Sequence, residues 1–137
     1  MIFEETIVLS RTFSEAVSEV KAAFAAVGFG ILTEIDMQAT LKTKIDKDIE
    51  PYVIIGACNP NLASRALDVD PQMGVLLPCN VVVRQLGDDV MVEAMDPGLM
   101  ASISGVEDIK PIAAEARSLV NDALSRLAST PELATGA

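Results

Sequence analysis

The chain has 137 residues, 10 of them basic and 20 acidic, for a formal charge of −10, and it contains no histidine. That length is one domain's worth of material, since a domain takes about 100–200 residues. The acidic balance argues against nucleic acid and anionic membranes, whose recognition draws on clustered Lys and Arg, and without imidazole no Ser-His or Cys-His nucleophile pair and no histidine-ligated metal or haem is possible.

The amino terminus, Met1-Ile2-Phe3-Glu4-Glu5, has no basic n-region and does not read as a secretory signal. The longest stretch free of polar side chains, Ala22 to Leu32, contains two glycines and falls well short of the roughly 20 residues a spanning helix needs. A soluble, cytoplasmic protein is therefore expected. Cys58 and Cys79 are too few for a disulfide framework, and a reducing compartment keeps them as thiols unless they form a redox pair.

Residues 2–9 read as a first strand, with Phe3, Ile7 and Leu9 on one face. Thr12 stands three residues before Glu15, the spacing of a capping box. Phe13, Val17, Val20, Phe24 and Val27 then follow at helical spacing, and Gly28 ends that helix. A second strand is predicted over Phe29 to Ile35. Asp36 caps a short helix through about Thr43, and a charged turn from Lys42 to Glu50 leads to a third strand, Tyr52 to Ala57. Asn59-Pro60 starts a helix carrying Leu62, Ala63, Ala66 and Leu67, which stops before Asp70-Pro71.

Residues 77–86 form a fourth strand. Gly87-Asp88-Asp89 turns it into a fifth, Val90 to Met95, making an antiparallel hairpin. Asp96-Pro97 repeats the cap-plus-proline signal before Leu99 and Met100. Pro111 opens a last helix with the stripe Ile112, Ala116, Leu119, Val120, Ala123 and Leu127. The segment 128–137 is small and polar and reads as a disordered tail.

Irregular interleaving and a hairpin favour an α+β domain with about five strands in a mainly antiparallel sheet. Tyr52-Val53-Ile54-Ile55 and Val81-Val82-Val83 are apolar on both faces, and a sheet of that kind must have both faces covered. Three substantial helices cover one face, so the other is expected to be covered in a homodimer.

The segments Gly56-Ala57-Cys58-Asn59-Pro60, Leu76-Leu77-Pro78-Cys79-Asn80-Val81-Val82-Val83 and Met95-Asp96-Pro97 together resemble the bacterial domain-of-unknown-function family numbered 302. Phe29-Gly30, Glu34-Ile35-Asp36 and Gln38-Ala39-Thr40-Leu41-Lys42 resemble its amino-terminal half. The resemblance covers residues 2–127 and implies one α+β domain, often dimeric. It brings no activity, no catalytic residue and no cofactor.

The candidate chemistry lies at the strand ends and helix starts. Cys58 ends the third strand and Cys79 begins the fourth; they share one end of the sheet only if those strands are antiparallel neighbours, since a bridge needs Cα atoms within about 7 Å. Cys58 near a helix amino terminus would be acidified and would act as nucleophile, with Cys79 as resolving thiol. The plainer reading is two small buried residues. The helix starts at Asp36, Asn59 and Asp96 offer free backbone N–H groups, but two of the three already carry a carboxylate, which favours a neutral or cationic small molecule over an anion. Glu34, Asp36 and Asp96 could hold a hard cation, yet no DxDxDG or HExxH pattern accompanies them, and no metal is expected. Met37, Met73, Met91, Met95 and Met100 read either as core filler or as the lining of an adaptable cavity.

The leading expectation is a homodimeric small-molecule-binding module whose pocket rim is Asp36, Asn59, Asn80 and Asp96, with Cys58 and Cys79 nearby. Asn59 and Asn80 suit an uncharged ligand because an amide both donates and accepts hydrogen bonds. The alternatives are a thiol-dependent redox or sulfur-handling protein and a purely structural, partner-binding dimer.

Overall fold

The computed structural model describes residues 6–129. Along the chain run β1 (Ile7–Leu9), α1 (Phe13–Ala26), β2 (Gly30–Asp36), α2 (Met37–Ile45), β3 (Tyr52–Cys58), α3 (Pro60–Val69), a 3-10 turn (Pro71–Leu76), β4 (Cys79–Leu86), β5 (Asp89–Ala94), α4 (Leu99–Ser104) and α5 (Lys110–Ser129). The strands make one sheet in the order β1-β5-β4-β3-β2, with every neighbouring pair antiparallel. The expected α+β domain with a five-stranded antiparallel sheet is what forms.

α1 shows how closely local chemistry fixes an element. The Thr12 hydroxyl accepts from the Glu15 N–H at 3.2 Å, and the Glu15 carboxylate accepts from the Thr12 N–H at 3.3 Å, completing the capping box. At the other end Gly28 takes φ +90°, a left-handed conformation that a side chain resists. Its N–H donates to the Ala25 carbonyl and that of Phe29 to the Phe24 carbonyl, while the Phe24 and Phe29 rings meet edge to face with centroids 5.7 Å apart. These contacts together are a Schellman motif with its apolar clasp.

Register sorts the sheet into two faces, because directly opposed residues share a face and successive residues alternate. Rows such as Ile7–Val92–Val83–Val53 and Ala94–Val81–Ile55 lie on the covered face. There they meet Ala16, Val20 and Phe24 of α1 and Val120, Ala123, Leu124 and Leu127 of α5 in the main core. A second, smaller core lies between helices: Leu62 and Ala66 of α3, Met73, Met100 of α4, Ile109, and Ile112, Ala113 and Ala116 of α5. α5 serves both, its first turns in the small core and its remainder in the large one.

Several boundaries differ from the sequence expectation, most by one or two residues. Residues 71–76 form a 3-10 turn, which the pattern does not announce. β4 begins at Cys79 rather than residue 77. α5 extends through Ala128 and Ser129, and its start is Lys110, one residue before Pro111. The expected strand residues 2–5 and the tail beyond Ser129 lie outside the described residues. Among the described residues, no helix is long and apolar enough to cross a membrane.

Candidate functional site

Because β3 and β4 are antiparallel neighbours, the end of one lies beside the start of the other: Ala57 opposes Cys79 and Gly56 opposes Asn80. This brings Cys58-Asn59-Pro60 and Pro78-Cys79-Asn80 to one end of the sheet. Asp96-Pro97 joins them, for β5 ends at the same place and the Met95 N–H donates to the Asn80 carbonyl at 3.0 Å. Gly56 is what lets the strands close there. A Cβ at that position would run into Thr33 Oγ1 and lie 2.8 Å from Pro78 Cγ.

A cavity of about 20 Å³ opens at this end, in the seam between the two cores. Phe29, Ala57 and Cys79 line it from the large core, and Leu62, Ala66, Met100, Ile112 and Ala116 from the small one. Leu77, Ala63, Cys58 and Asn59 complete the lining. The volume admits about one water-sized group. No ionised side chain lines it, and Asn59 is the one polar amide among the lining residues.

Asn59 is held by two elements. Its Oδ1 accepts from the Leu62 N–H at 3.2 Å, capping α3, and Pro60 occupies the first helical position. Gly28 leaves the space beside it: a Cβ there would lie 3.2 Å from Asn59 Nδ2. The turn that ends α1 thus abuts the cap that begins α3.

The other three residues of the expected rim do not line the cavity, although Asn80 and Asp96 reach the same end of the sheet. Asp36 opposes Val53, whereas Cys58 opposes Gly30, so Asp36 lies at the opposite end of the sheet. There its carboxylate caps α2, accepting from the Ala39 N–H at 2.9 Å. Helices that follow two consecutive antiparallel strands begin at opposite ends of a sheet, and this separates Asp36 from Asn59. Asn80 is near in the chain but exposed, one pleat away from buried Cys79. Asp96 is half-buried and committed within the protein: Oδ1 accepts from the Gly98 N–H at 2.8 Å and Oδ2 from Arg117 Nε at 3.1 Å. Glu34 pairs with Lys21 of α1, far from Asp96, and no group of three metal-donor residues assembles among the described residues.

Both cysteines are free thiols. Burial pushes the Cys58 thiol above its ordinary range, opposite to the acidification expected from the start of α3. Cys79, 6% exposed, is pushed up to about 11, mainly by burial and secondarily by the neighbouring Cys58. At neutral pH these groups remain protonated, which makes them weak nucleophiles. The pleat also sets them apart, since Cys79 pairs directly with Ala57 and Cys58 is the next residue along the strand.

The sequence matches the family described as Domain of unknown function DUF302 over residues 5–127. No curated protein matches. Among solved structures, an uncharacterized conserved DUF302 protein from Bacillus stearothermophilus is similar at 26% identity and a TM-score of 0.82, the match covering 90% of this chain and 96% of that one.

Proposed function

Since the chain belongs to the DUF302 family, whose description carries no activity, its function has to be read from its own site, and we propose a homodimeric binding module for a small neutral molecule held in the seam between the two cores. The observation that carries this reading is the seam itself: two separately packed apolar clusters leave a cavity between them with Asn59 as its polar amide. An apolar lining with few, well-placed polar groups is the usual character of a ligand site.

The lining narrows the ligand class. An ion placed there would lose its hydration without gaining a counter-charge, because the carboxylates of Asp36 and Asp96 do not line the cavity. The ligand is therefore neutral rather than cationic. Its apolar part lies among Leu62, Ala63, Ala66 and Ala116, and its polar part meets Asn59. A guest larger than a water-sized group displaces Met100, whose unbranched thioether repacks at small cost. The thiols contribute soft, protonated surface rather than a nucleophile, which sets the redox reading second.

A thermal-shift titration with benzene, indole and short alkanols tests this. A ligand that binds only the folded state raises the melting temperature in proportion to the logarithm of its excess over Kd. At least one of these probes is expected to do so, and Ala63→Leu, which fills the seam, is expected to abolish that rise while preserving the fold. If none of the probes stabilises the wild type, the seam is a packing defect and the purely structural reading takes its place.

A further inference from the structure

The second face of the sheet carries an interaction surface. Two cross-strand rows define it: Val8–Met91–Arg84–Tyr52 and Glu93–Val82–Ile54–Ile35. These are the positions that alternate with the covered rows. Val8 is 52% and Ile35 44% exposed, so no helix lies over either end of the pair of rows. α2 packs near β2 and β3 but buries none of its own residues.

We infer that this face binds a second copy of the same chain, with the two sheets meeting face to face about a two-fold axis near the Arg84–Glu93 pair. The inference specifies the interface of the dimer proposed above and is independent of what the seam binds. Three observations select a second copy. The first is charge. The chain is strongly acidic, at −10, so two copies repel over most of their surface. The ionised strand side chains on this face are Arg84 and Glu93, which form an ion pair and cancel, and Asp89 beside Leu86 at the hairpin end. A two-fold interface also requires a self-complementary patch. An Arg–Glu pair beside the axis meets that requirement, because rotation sets each guanidinium opposite the other copy's carboxylate.

The second observation is area. A five-stranded face spans roughly 24 by 20 Å, so two copies cover about 1,000 Å², which reaches the lower limit for a specific interface. The third is that the edges are poor alternatives. β1 is three residues long, and β2 is interrupted by a register shift around Leu32 and carries Glu34 and Asp36. A short strand, a bulge and charged residues are the devices that discourage edge pairing.

Light scattering on the full chain at about 50 µM tests the inference. The wild type is expected at twice its 14.5 kDa mass, and Arg84→Glu is expected to halve that mass with an unchanged far-ultraviolet circular dichroism spectrum. The reversal Arg84→Glu/Glu93→Arg restores both the internal pair and the self-complementarity, and is expected to restore the dimer. Should Arg84→Glu fail to fold, Val8→Lys places a charge in the same surface at an exposed position and is expected to yield the monomer. A monomeric wild type overturns the dimer altogether. A dimer that survives both Arg84→Glu and Val8→Lys, or a reversal that stays monomeric, overturns this face as its interface. Neither result bears on ligand binding in the seam, which the thermal-shift titration reads separately.

Discussion

The two cores differ in what holds them. The large one is clamped between a sheet and two helices: backbone ladders fix the strands, and Phe24, Ile55, Val83, Val92 and Leu127 fill the space with almost no exposure. The small one contains no strand. It depends on side chains of α3, α4, the 3-10 turn and the first turns of α5, with alanines at Ala66, Ala113 and Ala116. A cluster of helices with three alanines among its eight buried residues leaves space at its junction with a rigid sheet, and that junction is the seam. The lesson is that the cavity follows from joining two packing regimes along one shared helix.

Truncation in each core separates them most sharply. Phe24→Ala is expected to cost about 3–5 kcal/mol and Leu62→Ala about 2–3 kcal/mol, both measured by denaturant unfolding. Hydrogen exchange sharpens the contrast. Phe24→Ala should lower protection throughout the sheet, whereas Leu62→Ala should loosen α3 and α4 while strand amides keep theirs, since local opening follows local contact density. Equal loss of protection everywhere after Leu62→Ala would make the two cores one cooperative unit.

Cys79 belongs to the large core yet lines the seam, and its titration measures how dry that boundary is. The folded-state pKa of about 11 lies above the ordinary value of 9.0. The folded protein therefore holds the proton over a range in which the unfolded chain releases it. Stability is fully present below pH 9 and declines as pH rises from 9 through 11, by roughly 2–3 kcal/mol. Cys79→Ala is expected to flatten that part of the profile in denaturant titrations at successive pH values. A decline of the same size in the variant would assign it to other groups.

The smallest expected effect is at the cap that joins the two regions. Asn59→Ala leaves the Leu62 N–H unpaired at the start of α3 and should cost about 1 kcal/mol, while Asn59→Asp, which retains an accepting oxygen, should recover most of it. If probe binding is also weakened in Asn59→Ala and only partly recovered in Asn59→Asp, the amide contributes its donor to the ligand as well as its acceptor to the helix.

Much of this architecture is legible in the chain. Thr12, Glu15 and Gly28 announce both ends of α1 because caps and left-handed residues act within a few positions of themselves. Asn59-Pro60 and Gly87-Asp88-Asp89 do the same for α3 and the β4–β5 hairpin. The rim was only partly readable. Grouping Asp36 with Asn59 treated similar helix starts as neighbours, although an antiparallel sheet sends successive strands, and the helices after them, to opposite ends. An antiparallel sheet by itself implies that separation. Alternation likewise separates Asn80 from Cys79. The remaining lining residues, Phe29, Ala57, Leu77, Ile112 and Ala116, carry no motif; apolar spacing marks several as buried, but not as sharing one hollow.

The sequence by itself determined the caps, the turns, the alternation of the strands and the acidic balance, which argues against polyanionic partners, because each depends on interactions spanning a few residues or on composition alone. Tertiary structure decided which strand ends meet, that Cys79 is buried and Cys58 partly so, with both thiols protonated rather than acidified, and that two cores share α5 with a gap between them. Those outcomes depend on contacts between residues far apart in the chain, which spacing along it does not encode.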